Sequence, residues 1–249
     1  MSSELIVVLS DLQVPYHDPS YIKVMKKFIA AVKPSQKGQI GDLMDQPEVG
    51  RWNKGAAGEF SPTFWKNVKI TREILDTFDL DWIKVGNHDE RMETYIDRYA
   101  PALGGPDSEF TLDAILGIKD RKTRLERRPF RVAPGWIAAH GHEGSLSPVP
   151  GRTAFGLAQR WNASVMCGHT HRLGTVSTTV GLPGSRRTIT GMEIGHGMHE
   201  KHATYIKSGS PNWQKGFGIL VVDGGHTFHH VVHMRPDCSF TFDGKVWRP

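Results

Sequence analysis

Five short runs in this chain end in the same way. "LIVVLS" runs into Asp11-Leu12-Gln13, "SQKGQI" into Gly41-Asp42, and "DWIKV" into Gly86-Asn87-His88-Asp89. "GWIAA" runs into His140-Gly141-His142, and "SVMC" into Gly168-His169-Thr170-His171. Each run reads as a short strand, the first one β-branched and apolar enough to be buried. An ordinary surface turn has no use for so many oxygen and nitrogen donors. Open α/β sheets bring the carboxyl ends of their strands to one edge, where ligand-binding loops meet. The repeated ending therefore constrains the fold and the site together. Glycine in four of the five clusters fits sharp turns that bring backbone and side chains close.

Helical patterns lie between these runs. In "DPSYIKVMKKFIAAVKP", Ile22, Met25, Phe28, Ile29 and Val32 fall on one face, with a proline near each end. In "KNVKITREILDTF", Val68, Ile70, Ile74, Leu75 and Phe78 do the same, and shorter helices are expected at "ERMETYIDRY" and "RTAFGLAQRW". From residue 175 onward the character changes. "TVSTTVGL", "SRRTITGMEI", "GFGILVVD", "HTFHHVVHM" and "FTFDGKVW" follow one another with turns and no long helix. The first two-thirds predict βαβ units, and the last third predicts a second, more antiparallel sheet. The expected fold is α/β: two packed β-sheets, a β-sandwich, flanked by α-helices, with residues 1–249 as one domain.

Composition sets looser bounds. A chain of 249 residues with 38% hydrophobic and 23% charged residues can bury a substantial core. The formal charge of +5 and pI near 9.2 tilt it toward an anionic partner, a nucleotide or nucleic acid among them, without a basic tail. Cys167 and Cys238 make no disulfide framework. The start "MSSELIVVLSD" lacks a signal-peptide pattern, and no run is long and apolar enough for a membrane helix. A cytoplasmic protein with no membrane partner is expected; oligomeric state is not legible.

Carboxylate, amide and imidazole donors together suit divalent ions such as Mn²⁺, Fe²⁺, Zn²⁺ or Ni²⁺. There are more donors than one ion needs, whereas two ions bridged by a carboxylate use them all. Two such ions, about 3.5–4 Å apart, support in-line displacement at phosphorus. His140 and His142 compete for one ligand position, and His140 is favoured because it follows its strand directly. Cys167 reads as the last inward residue of an apolar strand rather than a ligand. In "HGMHEKH", the glycines argue against a helix presenting His196, His199 and His202, so a loop lining the cleft is expected. The segment 46–62, with Arg51, Trp52 and Lys54 among glycines, reads as a lid or an ordinary surface loop, and Trp52 is its candidate substrate contact.

The ordered series D-x-Q, G-D-x-x-D, G-N-H-D, H and G-H-x-H, over residues 11 to 171, resembles the calcineurin-like metallophosphoesterase superfamily. The resemblance implies that Asp11 and His171 hold one metal, that Asp42 bridges, and that Asn87, His140 and His169 hold the second. It makes His88 the general acid for the leaving alkoxide, with Asp89 or Asp45 orienting it, and Arg91 a phosphate contact. The cofactors implied are two divalent metal ions, Mn favoured, with Fe, Zn, Ni or Mg as alternatives. Gln13 departs from the pattern, standing where the family usually has histidine; it is kept as a candidate ligand through an amide oxygen. The implied reaction is phosphoester hydrolysis by in-line attack of a metal-bridging hydroxide. Phosphodiesters of cyclic-nucleotide or nucleic-acid type are favoured, with a DNA/RNA nuclease or a phosphomonoesterase as the alternative. A catalytically inactive scaffold is the reading from another class, and the retention of His88 and the bridging acid argues against it.

Overall fold

Alternation along the first strand sets the layers. In β1 (Glu4–Leu9), Val7 and Leu9 join one buried cluster while Ile6 and Val8 join another. A strand buried on both faces must have a layer on each side. The computed structural model describes residues 3–50, 55, 59–202 and 211–249.

After β1 come α1 (Pro19–Val32), β2 (Gln36–Gln39), α2 (Phe64–Phe78), β3 (Trp82–Lys84), α3 (Arg91–Tyr99), α4 (Leu112–Leu116) and β4 (Arg124–Glu126). Then follow β5 (Phe130–Ala133), β6 (Trp136–Ala138), α5 (Arg152–Trp161) and β7 (Ser164–Cys167). The chain ends with β8 (Leu173–Val180), β9 (Arg187–Ile194), β10 (Gly216–Asp223), β11 (His226–His233), β12 (Phe240–Phe242) and β13 (Lys245–Trp247).

One sheet has the order β11-β10-β1-β2-β3-β4 and the other β5-β6-β7-β9-β8, with β12 and β13 as a separate hairpin. β1 through β4 run parallel, as do β6, β7 and β9; β10, β11, β5 and β8 add antiparallel edges. The two sheets pack face to face through Ile6, Val8, Ile40, Trp82, Trp136, Met166, Met192 and Ile194. The Trp82 indole lies over Gly38, where a Cβ would sit 2.1 Å from the ring. The outer face of the first sheet is covered by α1 and α2 through Val24, Met25, Phe28, Ile74, Leu75 and Phe78. Phe28 also receives Phe240, Phe242 and Trp247 of the terminal hairpin, at ring separations of 5.1–5.4 Å.

The expected sandwich is present, but the expected division of the chain is corrected. The last third does not form a sheet of its own: β8 and β9 extend the sheet of β6 and β7, whereas β10 and β11 return to pair with β1. Strand patterns give each segment's faces; they carry no signal for which edge it joins. Among the described residues, no helix is long and apolar enough to cross a membrane.

Candidate metal centre

The carboxyl ends of β1, β2 and β3 meet those of β6 and β7 at one edge of the sandwich, and their loops are tied together by backbone. The Asp11 and Gln13 amides donate to the Gly41 and Asp42 carbonyls at 3.1 and 2.9 Å, and the Gly168 amide donates to the His140 carbonyl at 2.9 Å. The close approach needs glycine. A Cβ on Gly86 would sit 2.3 Å from Asp42 Oδ1, and one on Gly168 2.3 Å from Asp11 Oδ2. Asp11, Gln13, Asp42, His169 and His171 all adopt left-handed backbone, with φ between 47° and 65°. Such conformations cost roughly 1–3 kcal/mol each for residues other than glycine and concentrate at functional sites.

The candidate donors fall into two groups that share Asp42. Ligand atoms of Asp42, His140 and His169 all lie within 4.8 Å of one another. His140 is fully buried; its Nδ1–H donates to the Ile40 carbonyl at 2.9 Å, which turns Nε2 to within 3.2 Å of Asp42 Oδ2. A backbone carbonyl on one imidazole nitrogen is how proteins orient the other toward a metal. On the other side, His171 Nε2 lies 3.2 Å from Asp11 Oδ1. Gln13 stands between the groups, its amide nitrogen 3.2 Å from Asp42 Oδ2 and 3.4 Å from His171 Nε2.

Electrostatics follow from burial among opposite charges. Burial pushes Asp42 up, but His140 and His88 hold its carboxyl well below the usual carboxylate range. Burial likewise raises Asp11, and the His171 charge brings it below its ordinary value. Burial pulls His140 down, yet the Asp42 carboxylate lifts it to about 10. His169 falls to about 4 through burial and the charge of His140. The buried atoms Asp11 Oδ1, Asn87 Oδ1 and His140 Nε2 make no well-directed hydrogen bond among the described residues. Orphaned donor atoms among ionised carboxylates fit divalent cations, which satisfy lone pairs that protein donors leave open.

His88 sits beside this cluster. Its Nδ1 is 2.7 Å from Asp45 Oδ1, its Nε2 is 3.8 Å from Asp42 Oδ2, and Arg91 Nη2 lies 3.0 Å from that same Nε2. Arg91 also reaches the Asp45 carbonyl. Of the two acids expected to orient His88, Asp45 touches it. Asp89 is buried and accepts from the Met44 and Gly86 amides, both at 2.9 Å. The tight turn folds its side chain back under the loops, where it braces Gly86 against the Asp42 turn. Burial and the nearby Asp42 charge raise it to about 7.

Of the competing histidines, His140 meets Asp42, while His142 stays at the rim with its side chain 35% exposed and its ring 6.2 Å from that of His169. Trp52 lies outside the described residues, as do Arg51 and Lys54. The "HGMHEKH" loop does line the cluster. His196 is buried with its ring 5.3 Å from His171, and the next amide, Gly197, donates to the Asp11 carbonyl at 3.1 Å. Glu193 was not singled out in the sequence. Buried on β9, it accepts from Thr153 N and Thr170 Oγ1, both at 2.8 Å, and so pins the "GHTH" loop to the start of α5. Its one signal was an acid inside an apolar strand.

Two mixed sheets packed face to face, with Asp, Asn and His delivered from the strand ends of both to one edge, form a sandwich fold that a solved structure shares. Vacuolar Protein Sorting 29 from Cryptosporidium parvum superposes with a TM-score of 0.50, covering 98% of this chain and 94% of that one at 15% identity. No protein-family model matches the chain. The gene 54 protein of Mycobacterium phage D29 is 36% identical over 257 aligned positions, covering 98% of this chain and 99% of its own length. Its counterpart in Mycobacterium phage L5 is 34% identical with the same coverage. The chain belongs to the family of these gene 54 proteins.

Proposed function

We propose that this chain is a metal-dependent phosphoesterase acting on phosphodiesters of nucleotide or nucleic-acid type. The observation that carries the reading is the meeting of Asp11, Asp42, His140, His169 and His171 at one edge with His88 directly beside them. In this reading Asp11 and His171, with Gln13, hold one divalent ion, Asn87, His140 and His169 hold the other, and Asp42 lies between. Manganese suits the hard amide oxygen of Gln13 better than metals that prefer imidazole. Bound there, two divalent ions supply positive charge against the phosphate oxygens and lower the pKa of the attacking water.

The chain's own groups do the rest. Asp45 accepts from His88 Nδ1 and fixes the ring so that Nε2 faces the cluster. Burial pulls the His88 pKa down, but the Asp42 charge and the Asp45 hydrogen bond raise it, which favours a proton on Nε2 once Arg91 has left that nitrogen. Arg91 caps Nε2 in the absence of substrate; moving to a phosphate oxygen, it frees that nitrogen to act.

The test is turnover by chelator-stripped protein reloaded with Mn²⁺, Mg²⁺, Zn²⁺ or Ni²⁺. The panel is a cyclic nucleotide, single-stranded DNA, an aryl phosphodiester and an aryl phosphomonoester. Diester turnover, greatest with Mn²⁺, is expected. Full metal occupancy without turnover of any ester would establish a binding scaffold instead.

A further inference from the structure

The candidate centre opens into a cleft of about 780 Å³ whose inner end is Asn87, His88 and His169 and whose wall is one face of α3. Along that helix Met92 and Ile96 are buried toward the core, and Arg91, Tyr95, Arg98 and Tyr99 line the cleft. Spacings of three, four, seven and eight residues put such side chains on one stripe. The stripe alternates cation and ring. The Tyr95 and Tyr99 rings are 5.0 Å apart, and the Arg98 guanidinium lies 5.4 Å over the Tyr99 ring. Among the described residues that guanidinium pairs with no carboxylate. Tyr99 is 50% exposed and Leu146, on the facing loop, is 63% exposed, so both walls offer apolar surface to a flat ligand. Two acids also face the cleft, but Glu48 is engaged by Thr63 and Asn67 and Glu59 by the Gly55 amide.

Arg91 and Tyr99 stand eight residues apart, roughly 12 Å along the helix. A mononucleotide with its phosphate at the centre reaches Tyr95 with its base and leaves Arg98 and Tyr99 unused. A second nucleotide places its phosphate at Arg98 and its base at Tyr99. Resting on the phosphoesterase reading of the centre, we infer that α3 is the binding track for single-stranded nucleic acid, carrying at least two nucleotides away from the scissile phosphate. Positive side chains following the backbone, with aromatic faces that stack successive bases, are how single strands are held without regard to sequence.

The test uses Mn²⁺-loaded protein and a fluorescein-labelled, phosphorothioate-linked octathymidylate read by fluorescence anisotropy. The wild type is expected to bind it, and thymidine monophosphate to compete poorly. Tyr99→Ala should weaken binding roughly five- to 150-fold, the scale of one lost base stack, while Tyr99→Phe keeps it. Arg98→Ala should weaken it and lower the salt dependence by about 0.7, the share of one phosphate contact on a single strand. Both positions are solvent-exposed helix sites that tolerate substitution. No binding by the wild type, equal binding by all variants, or equal competition by the mononucleotide would overturn the inference. Failure here leaves ester turnover untouched, and octamer binding without turnover would sink the phosphoesterase reading alone.

Discussion

The two halves of the candidate centre are built differently. The half containing His140 and His169 is compact: its three ligand atoms lie within 4.8 Å, and His140 is set by a backbone carbonyl in the interior. Left-handed turns serve both halves, but in the half containing Asp11 and His171 an amide, Gln13, fills the position beside them. Preorganisation differs accordingly. One half has the His140 ring aimed by the Ile40 carbonyl, whereas the other must turn the Gln13 amide from its hydrogen bonds to Asp42 and His171 before its oxygen can face a cation. The compact half has a cost of its own, because the Asp42 carboxylate lifts His140 to about 10 and an ion there competes with the proton that this favours. The comparison predicts one well-held ion and one looser one.

The widest break in that comparison comes from the residue the halves share. Asp42→Asn should lower metal content at both halves and reduce turnover by well over the roughly 10–100-fold typical of outer-sphere changes. Metal analysis after gel filtration, alongside rates, decides it; near-normal values of both would rule out a shared carboxylate.

His88 tests the opposite case, a residue belonging to neither half. His88→Ala should keep metal content and slow turnover of a poor-leaving-group diester by roughly 10²–10⁴. The deficit should shrink on a nitrophenyl diester, whose leaving group needs little protonation. Equal deficits on both substrates would remove His88 as the acid.

Gln13→His makes the smallest change and addresses the asymmetry itself. An imidazole beside Asp11 and His171 should tighten the looser half severalfold and lower the Mn²⁺ needed for half-maximal occupancy, measured by calorimetric titration. Titration curves that superimpose on the wild type would mean that Gln13 only shapes the turn.

What could be read in the chain follows from the range of the forces involved. The alternation of Ile6, Val7, Val8 and Leu9, the helical face from Ile22 to Val32, and the Asp, Asn and His clusters after strands are local patterns, and the structure contains those strands, helices and clusters. Donor chemistry is likewise a property of residue type, so a candidate set of carboxylate, amide and imidazole donors is legible from the sequence alone.

Selection among local equals was a tertiary matter. His140 and His142 are two residues apart, and what separates them is the Ile40 carbonyl, a hundred residues away in the chain, which accepts from one ring and not the other. Asp45 and Asp89 were equivalent as partners for His88 until a tight turn buried Asp89 against the Met44 and Gly86 amides. β10 reads as a strand from its own residues, but only the open edge of β1 decides that it pairs there and not with β9. Arg98 and Tyr99 close an expected helix and carry no local sign of a cleft; packing Met92 and Ile96 into the core turns them toward it. Side-chain type and period are written in consecutive residues, whereas edge pairing, close approach and orientation depend on surfaces that exist only once distant segments have packed.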